Sequence, residues 1–335
     1  MAFIDDIIRK AQENPGVVLL PEPEDERTLR AAVEIESKNL AKVILIGNQD
    51  VVAEKRKELG LPDAQEVVDP ARCEHLDEFA ETYHEMRKHK GVTPEQAQEM
   101  MKQPIPHGIM MLHKGQADGL VAGAIHSTGD TLRPALQILR TAKGCSIVSS
   151  FFFMDCGDRT FIFADCGLVE DPDAEQLAEI ALSSAQSAIS FGIEPKVAML
   201  SYSTKGSAQS ALTEKVVEAT RIAKERVGER FKPEQNVVID GELQVDAAIV
   251  PKVAGSKAPD SPLEGDAKIL IFPDLNSGNI AYKLVQRVAN ADAYGPVIQG
   301  MRLPVNDLSR GCSADDIVGV AAVTVVQGQM LKVKS

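Results

Sequence analysis

Tryptophan is absent from this sequence, aromatic residues make up only 4% of it, and basic residues are outnumbered. With 36 Lys and Arg against 49 Asp and Glu, the formal net charge is -13. A surface of that sign repels nucleic acid and anionic lipid, so neither nucleic acid nor a membrane is expected as a partner. Any anionic ligand must find its cations gathered locally against the overall field. Cysteine is sparse as well: Cys73, Cys145, Cys156, Cys166 and Cys312 form an odd, scattered set with no C-x-x-C pair. That argues against a disulfide framework or a structural zinc site and fits a reducing compartment. No stretch approaches the ~20 uninterrupted apolar residues of a membrane span. The opening MAFIDDIIRKAQENPG has neither the basic start nor the long apolar core of a signal peptide, which predicts a cytoplasmic protein. Repeats, low-complexity tracts and Pro/Gly-rich linkers are missing too, so composition marks no domain boundary.

The 335 residues that remain to be explained, 44% hydrophobic and 25% charged, suit one large or two moderate globular domains. Buried-strand runs at Val17–Leu20 and Val43–Ile46 flank a helical pattern from Glu24 to Lys38. A charged helix is predicted over Glu74–Lys90, and Thr93-Pro94 opens another. A strand over Asp118–Ala124 leads through the loop Ile125–Asp130 to a helix opening near Thr131. This alternation predicts a mostly parallel sheet covered by helices on both faces. In the middle, Ile147–Met154 and Thr160–Ala164 flank a hairpin-like turn, Asp155-Cys156-Gly157-Asp158, which introduces an antiparallel element. A helix over Asp173–Phe191 follows, with Gly192 as its stop. Strand–loop–helix units resume at Val197–Ser201, Val237–Asp240, Ile269–Phe272 and Val297–Gly300. Their exit loops are rich in Ser, Gly, Asn, Lys and Arg, where open α/β sheets place ligands.

Four segments carry candidate chemistry. In His126–Pro134, the hydroxyls and backbone N–H groups of Ser127, Thr128 and Gly129 meet a helix start that favours an anion, and Arg133 adds a forked donor. A plain capping turn explains the same residues. Ser201–Ser207 has the composition of a phosphate cradle without the spacing of a P-loop, and a tight polar turn is an equal reading. Lys252–Pro262 and Pro273–Asn279 are turn-rich; beyond them Lys283 and Arg287 share one helix face, as a solvated basic edge also would. In Asn306–Asp316, Ser313 and Asp316 have capping-box spacing. Ser309 and Arg310 immediately precede that cap, so a hydroxyl, a guanidinium and a carboxylate converge on one helix start. Cys312 is read as a bystander, since no His lies close to it in sequence.

Taken in order, VAGAIHSTGDTLRPALQI, VAMLSYSTKGSA, DGELQVDAA, KAPDSP, FPDLNSGNIAYKLVQR, GPVIQG and PVNDLSRGCSADDIV resemble the phosphate acetyltransferase (phosphotransacetylase) family in its short form. The resemblance is strongest from Asp118 to about Gln327, with a weaker match upstream that includes Arg87. It implies the reversible reaction acetyl-CoA + phosphate = acetyl phosphate + CoA, a place in acetate metabolism, and a homodimer. It also implies two α/β/α domains with mostly parallel sheets and an active-site cleft between them. The first would comprise residues 1–143 plus 296–335 and the second residues 144–295. By the same resemblance Asp316 is the base for the CoA thiol, Ser309 orients the thiol or acyl group, and Arg310 holds the phosphoryl group and the developing charge. Arg87 and Arg133 would bind substrate phosphates, and Lys283 and Arg287 would contact CoA more peripherally. Position 159, a cysteine in some relatives, is Arg159 here, so no thiol chemistry is assigned to it.

Physical chemistry constrains that reaction. A thiol of pKa about 8.5 facing an aspartate of about 3.9 opposes full proton transfer by roughly 6 kcal/mol. Either burial raises Asp316, or the proton moves in concert with attack on the carbonyl, and the second route is preferred. Phosphate leaves readily, so no acyl-enzyme, metal or cofactor is called for; CoA enters as a substrate. A longer-chain phosphate acyltransferase, such as a butyryltransferase, is the nearest rival, but Thr131–Ile138 resembles the acetyl enzyme more. A dinucleotide-dependent dehydrogenase is disfavoured by the lack of G-x-G-x-x-G after a strand. A catalytically silent sensor of CoA or acyl phosphate is a third possibility.

Overall fold

The structure is a computed structural model that describes residues 3–334. It divides into two compact units: Phe3–Lys143 together with the chain from Met301 onward, and Gly144–Gly300.

Unit 1 runs α1 (Phe3–Glu13), β1 (Gly16–Leu20), α2 (Glu26–Ser37), β2 (Ala41–Ile46), α3 (Gln49–Leu59), β3 (Glu66–Val68), α4 (Leu76–Arg87), α5 (Pro94–Met101), α6 (Pro104–His113), β4 (Gly119–Ala122) and α7 (Thr128–Ile138). Its core strands are near-continuous apolar runs because a parallel sheet is covered on both faces: Val18–Leu20, Val43–Ile46 and Leu120–Ala122 are all buried. Thr93 caps α5 in a reciprocal box with Gln96, as its spacing predicts. α7 opens earlier than predicted, at Thr128, because Ser127 rather than a residue near Thr131 forms the capping box with Asp130.

Unit 2 runs β5 (Ser149–Asp155), β6 (Thr160–Ala164), α8 (Ala174–Phe191), β7 (Lys196–Leu200), α9 (Ala211–Arg230), β8 (Val238–Leu243), α10 (Val245–Ile249), α11 (Pro251–Lys257), β9 (Ile269–Ile271), α12 (Leu275–Val288) and β10 (Asp292–Gln299). Its sheet has the order β10-β5-β6-β9-β7-β8. The hairpin of β5 and β6 is antiparallel, as predicted. β10 is antiparallel to β5 as well, so Val297–Gly300 ends this sheet instead of opening another strand–loop–helix unit. That pairing keeps the chain in unit 2 through Gly300, past the predicted boundary at 295. One face of the sheet packs Phe152, Phe163, Leu200, Leu270 and Phe272 into a common core, and Tyr282 of α12 stacks on Phe152 at 4.1 Å.

The chain then returns to unit 1 as β11 (Val305–Asp307) and α13 (Ala314–Lys334). β11 completes an all-parallel sheet of order β11-β4-β1-β2-β3. Val305–Asp307, three residues with two polar side chains, is too short to show a strand period in the sequence. Asn306 explains the polarity: its amide donates to Thr324 Oγ1 at 2.8 Å and Gln327 Oε1 at 2.7 Å on α13. α13 buries Ile317, Ala321, Val325 and their neighbours against α2, β1 and β4. Among the described residues no helix is long and apolar enough to cross a membrane.

Candidate active site

In unit 1 the chain builds outward from β1 to β2 and β3, then crosses back to lay β4 on the other side of β1. The crevice beyond the carboxyl ends of β1 and β4 is therefore the topological switch point, where this architecture binds ligands. Glu22, just beyond β1 and 1% exposed, organises it. Its carboxylate accepts the backbone N–H groups of Gly123, Ala124, Ile125 and His126 at 2.8–3.2 Å, and His126 Nδ1 lies 2.8 Å away. The loop leaving β4 is thus folded around a buried acid.

A second clamp joins this loop to the one leaving β11. The Arg27 guanidinium is held by Asp25 at 2.7 Å and donates to the carbonyls of Ala124 (2.9 Å), Arg310 (2.9 Å) and Cys312 (2.8 Å). The backbone of Arg310 is pinned, while its side chain is exposed and, among the described residues, makes no ion pair. Ser309, also exposed, closes the turn: its carbonyl accepts from Cys312 N at 2.9 Å. At the end of β11 lies Asp307, 2% exposed, whose Oδ2 accepts the Thr128 hydroxyl at 2.5 Å. Burial pushes its carboxyl up to about 6, Thr128 pulls it down, and the nearby negative Glu22 pushes it up again.

Asp316 is exposed, and its Oδ2 accepts both the backbone N–H of Ser313 (2.7 Å) and the Ser313 hydroxyl (2.9 Å). The capping box predicted from spacing is therefore formed, and the carboxylate stays open to solvent. Ser127 and Thr128 are also committed: the Ser127 hydroxyl donates to Asp130 at 2.6 Å and that of Thr128 to Asp307. What they can offer an anion is backbone N–H at the start of α7. Arg133, one turn further along, is exposed and without an ion pair among the described residues. It edges a cavity of about 360 Å³ whose wall includes Met100, Ile105, His126, Pro134 and Gln137. Gln137 accepts the Tyr83 hydroxyl at 2.7 Å, and Tyr83 feels the charge of Arg87 one turn along α4. Arg87 is half-buried, and its Nε has no hydrogen-bond partner. Unit 1 thus places Ser127, Ser309 and Arg310 on the exit loops of two paired strands, and Thr128, Arg133 and Asp316 in the first two turns of the helices those loops open, with Arg87 on a helix packed beside α7.

Residues 2–325 match the family model described as "Phosphate acetyl/butaryl transferase". The chain belongs to that family. A phosphate acetyltransferase of Acetivibrio thermocellus is 53% identical over 99% of this chain and 100% of its own length. A phosphotransacetylase structure from Staphylococcus aureus superposes with a TM-score of 0.90 at 45% identity, over 97% of this chain and 99% of that one. One from Streptococcus pyogenes gives 0.91 at 42% identity, over 98% of both.

The remaining candidates of this phosphate acyltransferase family member lie in unit 2. The Ser201–Ser207 cradle is filled from within: Glu242 Oε1 accepts the Ser203 hydroxyl at 2.9 Å and the Gly206 N–H at 2.7 Å. The polar-turn reading holds there. Lys283 and Arg287 are exposed on α12 and make no ion pair among the described residues. Arg159 lies over the Phe161 ring at 4.7 Å and donates to the Ile249 carbonyl, a structural use of the position. In unit 1, burial pushes the Cys312 thiol up, against the pull of Arg27, which agrees with its reading as a bystander.

Sequence reasoning missed Glu22, Arg27 and Asp307. The signal for the first two was available: Pro21-Glu22-Pro23-Glu24-Asp25-Glu26-Arg27 follows a buried strand directly, at the strand end where ligand sites form. Asp307 could not be found without recognising β11.

Proposed function

We propose that the chain interconverts acetyl-CoA and phosphate with acetyl phosphate and CoA by direct attack in a ternary complex, with Asp316 as general base. The observation that carries this reading is the grouping of Arg133, Arg310 and Asp316 on the exit loops of β4 and β11 and the first turns of the helices they open, with both cations free of ion pairs among the described residues, in a chain of net charge -13. Relatives named phosphate acetyltransferase, 45–53% identical over nearly the whole chain, favour acetyl over a longer acyl group.

In the direction of acetyl-CoA synthesis, the thiol sulfur attacks the acetyl carbonyl of acetyl phosphate and its proton passes to the free Oδ1 of Asp316. Because an exposed aspartate is a weak base toward a thiol, the proton moves as the C–S bond forms. The tetrahedral oxyanion and the phosphoryl charge are met by Arg310, with Ser309 orienting the reacting groups. The C–O bond to phosphate then breaks, and phosphate leaves without an acyl-enzyme, metal or cofactor. Arg87 and Arg133 hold substrate phosphates, aided by the N–H groups at Ser127–Thr128, and Lys283 and Arg287 are more peripheral CoA contacts. The active form is a homodimer, and the enzyme is cytoplasmic.

The test is Asp316→Asn. Turnover is expected to fall by about 10²–10⁴-fold while CoA affinity stays close to wild type. Unchanged turnover removes the base assignment. Rates with butyryl-CoA equal to those with acetyl-CoA would move the activity to the longer-chain class.

A further inference from the structure

We infer that Asp307 is a positioning residue for acetyl transfer: from the rigid end of β11 it ties the first turn of α7, which leads to Arg133, to the loop that carries Ser309 and Arg310. The inference rests on the site reading above, and its test separates the two.

Asp307 is the last residue of β11, level with Ala122 of β4 and two residues before Ser309. The hydroxyl that reaches it belongs to Thr128, the first residue of α7. The other oxygen, Oδ1, is buried without a hydrogen-bond partner and abuts Gly123, where an added Cβ would collide with it. The Thr131 hydroxyl, one turn along α7, and the Leu308 N–H face the same carboxyl more loosely and pull its pKa down. A buried carboxylate with one orphaned oxygen stabilises a strand end less than an apolar residue of similar size would. Its advantage is directional. A single short hydrogen bond from a strand fixes where the helix begins, and helix and loop then hold their cations in a fixed relation. Misplacement of reacting groups by ~1 Å costs on the order of 10²-fold in rate, so a latch that close to Ser309 and Arg310 acts on turnover without touching substrate.

The experiment compares kcat and KM for acetyl phosphate and CoA in Asp307→Ala, Asp307→Asn, Thr128→Val, Thr128→Ser and the double variant Asp307→Ala/Thr128→Val. Asp307→Ala and Thr128→Val are each expected to lower kcat by about 10–100-fold, with KM for CoA within about twofold of wild type. The double variant should be no worse than Asp307→Ala, because both remove one contact. Asp307→Asn keeps an acceptor and should recover about tenfold over alanine; Thr128→Ser keeps the donor and should recover likewise over valine. Multiplying losses, full activity in Asp307→Ala, or asparagine no better than alanine would overturn the inference. If Asp307→Ala does not fold, the valine–serine contrast at Thr128 decides it: equal activities refute the latch. Asp316→Asn assayed alongside tells the failures apart, since full activity there sinks the site reading whatever Asp307 does.

Discussion

Asp307 in unit 1 and Asp240 in unit 2 are the same side chain at the same depth, 2% and 1% exposed, and differ in what faces them. Asp307 meets one hydroxyl and the field of Glu22, and its carboxyl is pushed up to about 6. Burial pushes Asp240 upward too, but Lys205 and Lys224, each at 2.7 Å, and Ser261 outweigh it and hold the carboxyl below its usual range. The pattern extends beyond this pair. Unit 2 answers its buried acids internally: Glu242 fills the loop that looked like a phosphate cradle, and Asp165 takes five hydrogen bonds from Ser150, Gly167, Leu168 and Val169. Unit 1 folds one loop around Glu22 in the same way, yet leaves Arg87, Arg133 and Arg310 without carboxylate partners among the described residues. Polar density alone does not distinguish a site from a well-knit turn; incomplete pairing does.

Four tests can break or sharpen this contrast. Glu22→Ala strands four backbone N–H groups and should cost roughly 3–5 kcal/mol in urea unfolding. Asp165→Ala should cost a similar amount, and a much smaller loss for Glu22 would show that its loop is shaped by something else. Arg310→Gln should lower kcat/KM by about 10³-fold, or roughly 4 kcal/mol of barrier, with little change in melting temperature. A substantial melting shift with intact turnover would make Arg310 a structural residue, as Arg159 is in unit 2.

The third concerns pH. The native carboxyl of Asp307 titrates at about 6, above the ordinary 3.8. Its contribution to stability is therefore complete below pH 4 and lost as pH rises through 6, a loss of about 3 kcal/mol. Asp307→Asn lacks that loss, so its stability relative to wild type should improve by about 3 kcal/mol between pH 4 and 7; a pH-independent difference would contradict the raised value. Asp240, held low, works with the opposite sign: its contribution is present above pH 4 and disappears on acidification below it. The smallest effect is expected of Lys205→Met, about 1–2 kcal/mol of stability with turnover near wild type, because Lys224 still answers Asp240. A tenfold loss of turnover would bring that lysine into the chemistry.

Much of this was legible in the sequence. Continuous apolar runs marked the buried parallel strands, and the caps at Thr93, Asp173 and Ser313 lie where their spacing put them. β3 and β11, with three residues each, are too short to carry a period. The antiparallel pairing of β10 is a long-range choice that local pattern does not encode. At the site, the motif-bearing loops were found because loop composition is local. Asp307 was missed because what it does depends on strands far apart in sequence becoming neighbours, as with the 179 residues that separate Thr128 from it, whereas Glu22 and Arg27 were passed over although they directly follow a buried strand.

Unit 1 owes its outer strand β11 and its long helix α13 to a segment that follows the whole of unit 2 in the chain. Every element of unit 2 is synthesised before β11, so that unit can begin to settle while the earlier sheet waits with β4 as an open edge. Until Val305–Asp307 pairs with it, that edge is bare backbone exposed to stray strands. The segment that seals it also delivers Ser309, Arg310 and Asp316, so protection from aggregation and assembly of the proposed site arrive in a single folding event.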